Sequence, residues 1–241
     1  MKNKITAVIP TRAGSARVKQ KNIRKFGDST LLDLKIEKIK ELKKIGQIHH
    51  IILNSDCPVS WDIARDHGIE VHKREPYYAS SECPITEYWK YCAEHTKTNT
   101  MLLAQVTSPF ISVKTYQDCL DKYRASSCDS LISVTQIKEY MWKGKSPINY
   151  EWPTHPKSQD LPDDIFFLNF GVCIISKEAL YKNKNLVTRN TLFYNSPASE
   201  TYDIDSEFDF SLSEHIYNSR NKSSEFPRRP MEDEYFWGHG Y

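Results

Sequence analysis

The sequence predicts an α/β fold in which a mostly parallel sheet is covered by helices on both faces. Two observations carry this prediction. Short apolar runs bounded by polar residues alternate with segments whose apolar residues recur at helical spacing. Several of those runs end in loops of small, hydroxylated or charged residues, which is how open α/β sheets present a ligand crevice.

The first strand is expected over 5–9 and empties directly into Pro10, Thr11, Arg12, Ala13, Gly14, Ser15, Ala16 and Arg17. A helix over 32–44 follows, with Leu32, Ile36 and Ile39 on its inner face. Strands are expected over 50–54, 100–104 and 130–134. Helices are expected over 61–67, closed by Gly68, and over 113–123, with Tyr116, Cys119, Leu120 and Tyr123 on one side. From Glu139 to Asp164 the rhythm breaks: Pro147, Pro153 and Pro156 punctuate a segment carrying Trp142 and Trp152. Linkers rarely hold such aromatics, so this reads as a lid or dimer arm. A strand over 165–175 comes next, and a last helix over 206–217 follows an acidic segment. The organisation is therefore one domain over 1–218, with an insertion at about 139–170. The tail over 219–241 has aromatic residues (Tyr235, Phe236, Trp237, Tyr241) suited to docking on a neighbouring surface.

With 33 basic and 31 acidic residues the formal charge is only +2. No overall electrostatic case for nucleic-acid binding exists. No apolar run approaches the ~20 residues that span a bilayer, and Met1 to Lys4 lead into no secretory signal. The six cysteines show no CxxC and no spacing to histidine that suits a metal, so they read as reduced packing residues of a cytoplasmic protein.

Three loop segments carry chemistry. In the first, Gly14 lets backbone approach an anion, Ser15 donates a hydrogen bond, and Arg12, Arg17 and Lys21 supply charge-assisted contacts, a combination suited to phosphates. In the second, Gln105, Thr107 and Ser108 end a strand before Pro109 and would face the crevice as neutral hydrogen-bonding groups. Either Ser108 or Ser112 could instead cap the following helix. In the third, Asp203 and Asp205, two apart on an extended segment, point the same way. Paired hard oxygens suit Mg²⁺ shared with a phosphate. Asp209 fits helix capping better. No histidine is spaced to pair with a Ser or Cys nucleophile. The set points to nucleotidyl transfer.

At these residues the chain resembles the acylneuraminate cytidylyltransferases, or CMP-sialic acid synthetases, and their relatives acting on legionaminic, pseudaminic and Kdo-type sugars. The family's opening is similar to Ile9-Pro10-Thr11-Arg12-Ala13-Gly14-Ser15 followed by Lys21-Asn22. Its middle motif is similar to Gln105-Val106-Thr107-Ser108-Pro109, and its closing motif to Asp203-Ile204-Asp205-Ser206-Glu207-Phe208-Asp209. The segment from Arg74-Glu75-Pro76 to Ala79-Ser80 resembles the family's cytosine-facing stretch. Gln159 to Pro162 and Asn169-Phe170-Gly171 match its sugar side more loosely. The ordered set covers about residues 4–217.

The resemblance implies a Rossmann-like sheet of the nucleotide-diphospho-sugar transferase type with a protruding dimerisation arm. It implies a homodimer that binds neither nucleic acid nor membrane. It further implies Mg²⁺-dependent coupling of CTP to an acidic 2-keto sugar. Arg12, Ala13, Gly14, Ser15, Arg17, Lys21, Asn22, Arg74, Ala79 and Ser80 would bind CTP. Arg12, Arg17, Lys21 and Asp205 would be catalytic, and Asp203 and Asp205 would hold the metal. Gln105, Thr107, Ser108, Gln159 and Asn169 would face the sugar, whose carboxylate needs a cation such as Lys138, Lys143, Lys145 or Lys157. Three departures weaken the acceptor assignment: Ala16-Arg17 where many sialic-acid enzymes have Lys after the loop Ser, Ile111 where Arg is common, and Phe170 within an Asn-Gly-Ala motif. Alternative readings are a Kdo or unusual acceptor, a hexose-1-phosphate nucleotidyltransferase, or a catalytically silent nucleotide-binding homologue.

Overall fold

The computed structural model describes residues 4–14 and 17–222. The last helix runs to Lys222, past the expected tail boundary at 219, and the tail aromatics expected to dock on a neighbouring surface lie outside the described residues. In chain order the elements are β1 (Ile5–Pro10), β2 (Lys25–Phe26), β3 (Ser29–Thr30), α1 (Leu31–Lys44), β4 (His50–Ser55), α2 (Pro58–Asp66) and β5 (Glu70–Lys73). Next come α3 (Pro76–Ala79), α4 (Ile85–Glu94), β6 (Thr100–Leu103), α5 (Val113–Ala125), β7 (Ser130–Gln136), β8 (Trp142–Lys143) and β9 (Ser146–Pro147). The chain continues through β10 (Phe166–Ser176), α6 (Lys177–Asn183), β11 (Thr191–Asn195) and α7 (Glu207–Lys222).

A seven-stranded sheet runs β11-β7-β10-β6-β1-β4-β5. The pairs β1–β4, β1–β6, β4–β5 and β7–β11 are parallel, whereas β10 is antiparallel to both β6 and β7. The period of two along buried strands splits the core between the two faces. Ile5, Ala7, Ile9, Leu102 and Ala104 join Leu32, Ile36 and Ile39 of α1 and Tyr116 and Leu120 of α5 in one cluster. Val8, Met101 and Leu103 join Tyr88, Tyr91 and Cys92 of α4 and Leu180 of α6 in the other. Helices therefore cover both faces, as the alternation predicts.

Local chemistry sets the helix starts. Thr30, Ser112 and Ser176 accept hydrogen bonds from the third residue beyond them and cap α1, α5 and α6. Between the paired positions Leu168 and Cys173 the β7–β10 register shifts, and Phe170 adopts φ 51° there. Residues 166–170 of the predicted insertion belong to the central sheet, while β8 and β9 pair only with each other. All six cysteines are free, and all but Cys83 are buried.

Candidate active site

The parallel strands β1, β4, β5 and β6 release the chain at the same edge of the sheet, and the crevice forms there. Beyond β1, the Thr11 N–H donates to the Asn54 carbonyl at 3.0 Å and the Ala13 N–H to Asp56 Oδ1 at 2.8 Å. A cavity of about 330 Å³ opens beside them, lined among others by Arg12, Arg17, Lys21, Asn22, Arg74, Gln105 and Thr107. A larger cavity of about 590 Å³, lined by α4 and α6 side chains, has none of the predicted residues in its wall.

The cationic loop and the acidic segment meet across the crevice. Arg17 donates to Asp205 Oδ1 at 2.8 Å, and Lys21 Nζ lies 3.6 Å from the same oxygen. Lys21 also donates to the Ile204 carbonyl. Its side chain is 12% exposed, and burial lowers its pKa from the usual lysine value while Asp205 and Asp203 pull the other way. The Asp203 carboxyl is raised, first because the crevice wall desolvates it; a hydrogen bond from Thr107 opposes the shift and Asp205 adds to it. The Ile204 N–H donates to the Thr107 carbonyl at 3.0 Å, so the middle motif holds the acidic segment in place.

Asp209 has the capping role. Its Oδ2 accepts from the Ser206 N–H at 2.7 Å and the Asp205 N–H at 3.1 Å, while the Ser206 hydroxyl accepts from the Asp209 N–H at 3.2 Å. This reciprocal capping box opens α7 immediately after the carboxylate pair. Arg24 reinforces the junction with two contacts to the Glu207 carboxylate, at 2.8 and 3.0 Å.

Other predicted residues are differently employed. Arg74 donates to the Tyr78 and Thr11 carbonyls and lies 3.6 Å over the Tyr88 ring, so it builds the cavity wall with most of its hydrogen-bonding capacity spent. Ala79 and Ser80 end the short α3, and the Ser80 hydroxyl closes its own turn on the Tyr77 carbonyl. Ser108, expected to face the crevice, is buried at 4% exposure; Ser112 is the helix cap. Asn169, expected to face the sugar, places Oδ1 on the Ser133 hydroxyl and the Gly171 N–H, and Nδ2 on Thr135. Its amide holds the register shift between β7 and β10. Gln159 sits on a 3-10 turn, where its carbonyl accepts from Lys138, and Lys138 is itself paired with Asp163 at 2.8 Å. Ser15 lies outside the described residues.

Sequence reasoning missed Tyr88, Ile85 and Asp56 at the crevice and two lysines beneath it, Lys35 and Lys38. One signal was available for Lys35: it interrupts the inner face formed by Leu31, Leu32, Ile36 and Ile39. Ile111 packs so close to Gly171 that a Cβ there would sit 2.9 Å from Ile111 Cδ1.

Residues 6–231 match a family model described as Cytidylyltransferase. The chain is 26% identical over 231 residues to a CMP-N,N'-diacetyllegionaminic acid synthase of Legionella pneumophila, spanning 88% of this chain and 96% of that protein. It is 24% identical over 238 residues to an N-acylneuraminate cytidylyltransferase of Escherichia coli, spanning 92% of this chain but 54% of that longer protein. Among solved structures, a CMP:2-keto-3-deoxy-manno-octonic acid synthetase complexed with CTP superposes with a TM-score of 0.68, over 90% of this chain and 99% of that one. At 12% identity this last likeness is one of fold.

Proposed function

Because the chain belongs to the cytidylyltransferase family, we propose that it couples CTP to a 2-keto sugar acid, a sialic acid or related nonulosonate, giving a CMP-sugar and pyrophosphate. The observation that carries this reading is the meeting of Arg12, Arg17 and Lys21 with Asp203 and Asp205 at one crevice. The two sequence relatives named for acids of this class support it.

In the reaction, the anomeric hydroxyl oxygen attacks the α-phosphorus of CTP. The bond from that phosphorus to the bridging oxygen breaks, pyrophosphate leaves with the electron pair, and the hydroxyl proton passes to solvent. Arg12, Arg17 and Lys21 bind the triphosphate and stabilise the charge that collects on pyrophosphate. Asp205 keeps Arg17 and Lys21 turned toward the crevice until the more highly charged triphosphate takes them over. Arg74 and Tyr88 shape the base end of the cavity, where the main chain near Ala79 and Ser80 reads cytosine. Gln105 reaches toward the sugar.

The donor set fits a divalent cation: two carboxylates on one extended segment, one of them partly desolvated, beside cations that attract phosphate. Among the described residues no group of three or more His, Cys, Asp or Glu side chains could hold an ion alone. Two carboxylates completed by phosphate oxygens and water is how Mg²⁺ is commonly bound. Held by Asp203 and Asp205, Mg²⁺ would neutralise phosphate oxygens and lower the pKa of the attacking hydroxyl.

The reading includes a homodimer formed through 139–164, where Trp142, Ile148 and Trp152 are exposed, and a place in the cytoplasm. No helix of the described residues is long and apolar enough to cross a membrane. Calorimetric titration with each nucleoside triphosphate in Mg²⁺ tests the substrate: CTP is expected to bind more tightly than ATP, GTP or UTP. Equal binding of all four would overturn the cytidylyl assignment. Sedimentation as a monomer at micromolar concentration would overturn the dimer.

A further inference from the structure

Lys35 stands on the inner face of α1 with only 1% of its surface exposed. A buried ammonium is costly unless hydrogen bonds replace its water. Here Nζ donates to the Ser108 carbonyl at 2.9 Å and to the Tyr116 hydroxyl at 2.8 Å. One turn later on the same helix, Lys38 Nζ donates to the Pro109 carbonyl and, at 3.0 Å, to the Ile111 carbonyl. Pro109, in the turn beyond β6, has no N–H of its own to donate. Three carbonyls of 108–111 thus receive their hydrogens from two side chains three residues apart on α1.

The other side of the same segment holds the acidic one. Thr107 accepts the Ile204 N–H through its carbonyl and hydrogen-bonds Asp203 through its side chain. The segment 107–111 is therefore clasped between the α1 lysines below and the carboxylates above. We propose that Lys35, assisted by Lys38, is a positioning residue of the crevice, fixing 107–111 and through Thr107 the place of the Asp203 carboxylate. This deepens the functional reading above and rests on it for the role of Asp203. A methionine could fill the volume of Lys35, but it would leave the Ser108 carbonyl buried without a donor.

Site-resolved amide hydrogen exchange tests the clasp without any substrate. In Lys35→Met the Ile204 amide and the amides around 107–111 are expected to exchange at least about tenfold faster, while β4 and α6 keep their rates. Lys35→Arg, which restores a donor, is expected to slow Ile204 again. Should Lys35→Met fail to fold, Lys38→Met removes the outer half of the clasp and is expected to accelerate the same amides. Unchanged exchange at Ile204, or acceleration spread evenly over the sheet, would overturn the proposal. In the enzyme assay, Lys35→Met is expected to raise several-fold the Mg²⁺ concentration for half-maximal pyrophosphate release; an unchanged Mg²⁺ requirement would also overturn it. A wild-type enzyme that releases no pyrophosphate would sink the functional reading alone, since the exchange result stands apart from it.

Discussion

Arg17 and Asp205, 188 positions apart in sequence, form an ion pair at 2.8 Å that closes the cationic loop onto the acidic segment before α7. Both side chains are substantially exposed, so the pair contributes little to stability. Its value lies in what it holds ready. Asp205→Asn is expected to lower turnover about 100- to 1000-fold, the loss of one preorganised electrostatic group. The melting temperature should stay close to that of the wild type. Pyrophosphate release beside thermal unfolding checks both halves of the statement.

The capping box at α7 predicts a different balance. Asp209→Ala removes the acceptor of the Ser206 and Asp205 N–H groups and is expected to cost about 1 kcal/mol in chemical denaturation. Because the Asp205 N–H loses its anchor, turnover should fall as well, by less than in Asp205→Asn. An intact rate would separate the cap from the site.

Gly27 joins β2 to β3 at φ 64°, with its N–H donating to Glu214 of α7 at 2.9 Å. A Cβ there would lie 2.5 Å from Tyr217 Cε1. Backbone strain and the crowded ring act together, so Gly27→Ala is expected to destabilise by about 2 kcal/mol or more. Urea unfolding measures this directly.

Burial lowers the Lys38 ammonium to about 8, against the pull of Glu200, while an unfolded lysine titrates near ~10.4. Between those values the unfolded chain binds more protons, so this group makes stability rise as pH rises through the window. Below about pH 8 both states are charged and its contribution is constant. Lys38→Met removes the titration. The unfolding free energy of the wild type minus that of the variant is therefore expected to increase from about pH 8 to about pH 10. A flat difference would contradict the assignment.

The parallel core was legible because it rests on local pattern. The run 5–9 alternates its side chains between two apolar clusters, and Ser112 and Asp209 cap helices by rules that operate within four residues. β5, α4 and β11 were missed: their burial is partial or their apolar residues face a neighbour that only the tertiary fold supplies. Spacing singles out Asp203 and Asp205, whereas Lys35 shows in the sequence only as a charge on an apolar helix face, because its partners Ser108 and Tyr116 lie more than 70 positions away. Asn169 shows the converse limit. A polar residue in a plausible motif looked ready for ligand, yet its amide is spent on a sheet irregularity that no periodicity reveals.

Cytidylyl transfer to an acidic sugar, as proposed above, needs a crevice that depends on Asp205. Its most direct test is pyrophosphate release from CTP in Mg²⁺ with N-acetylneuraminate, legionaminate, pseudaminate and Kdo assayed in parallel, using wild type and Asp205→Asn. Release with one of these acids, and its near-complete loss in the variant, is the expected result. No release with any of the four, together with no binding of CTP, would contradict it.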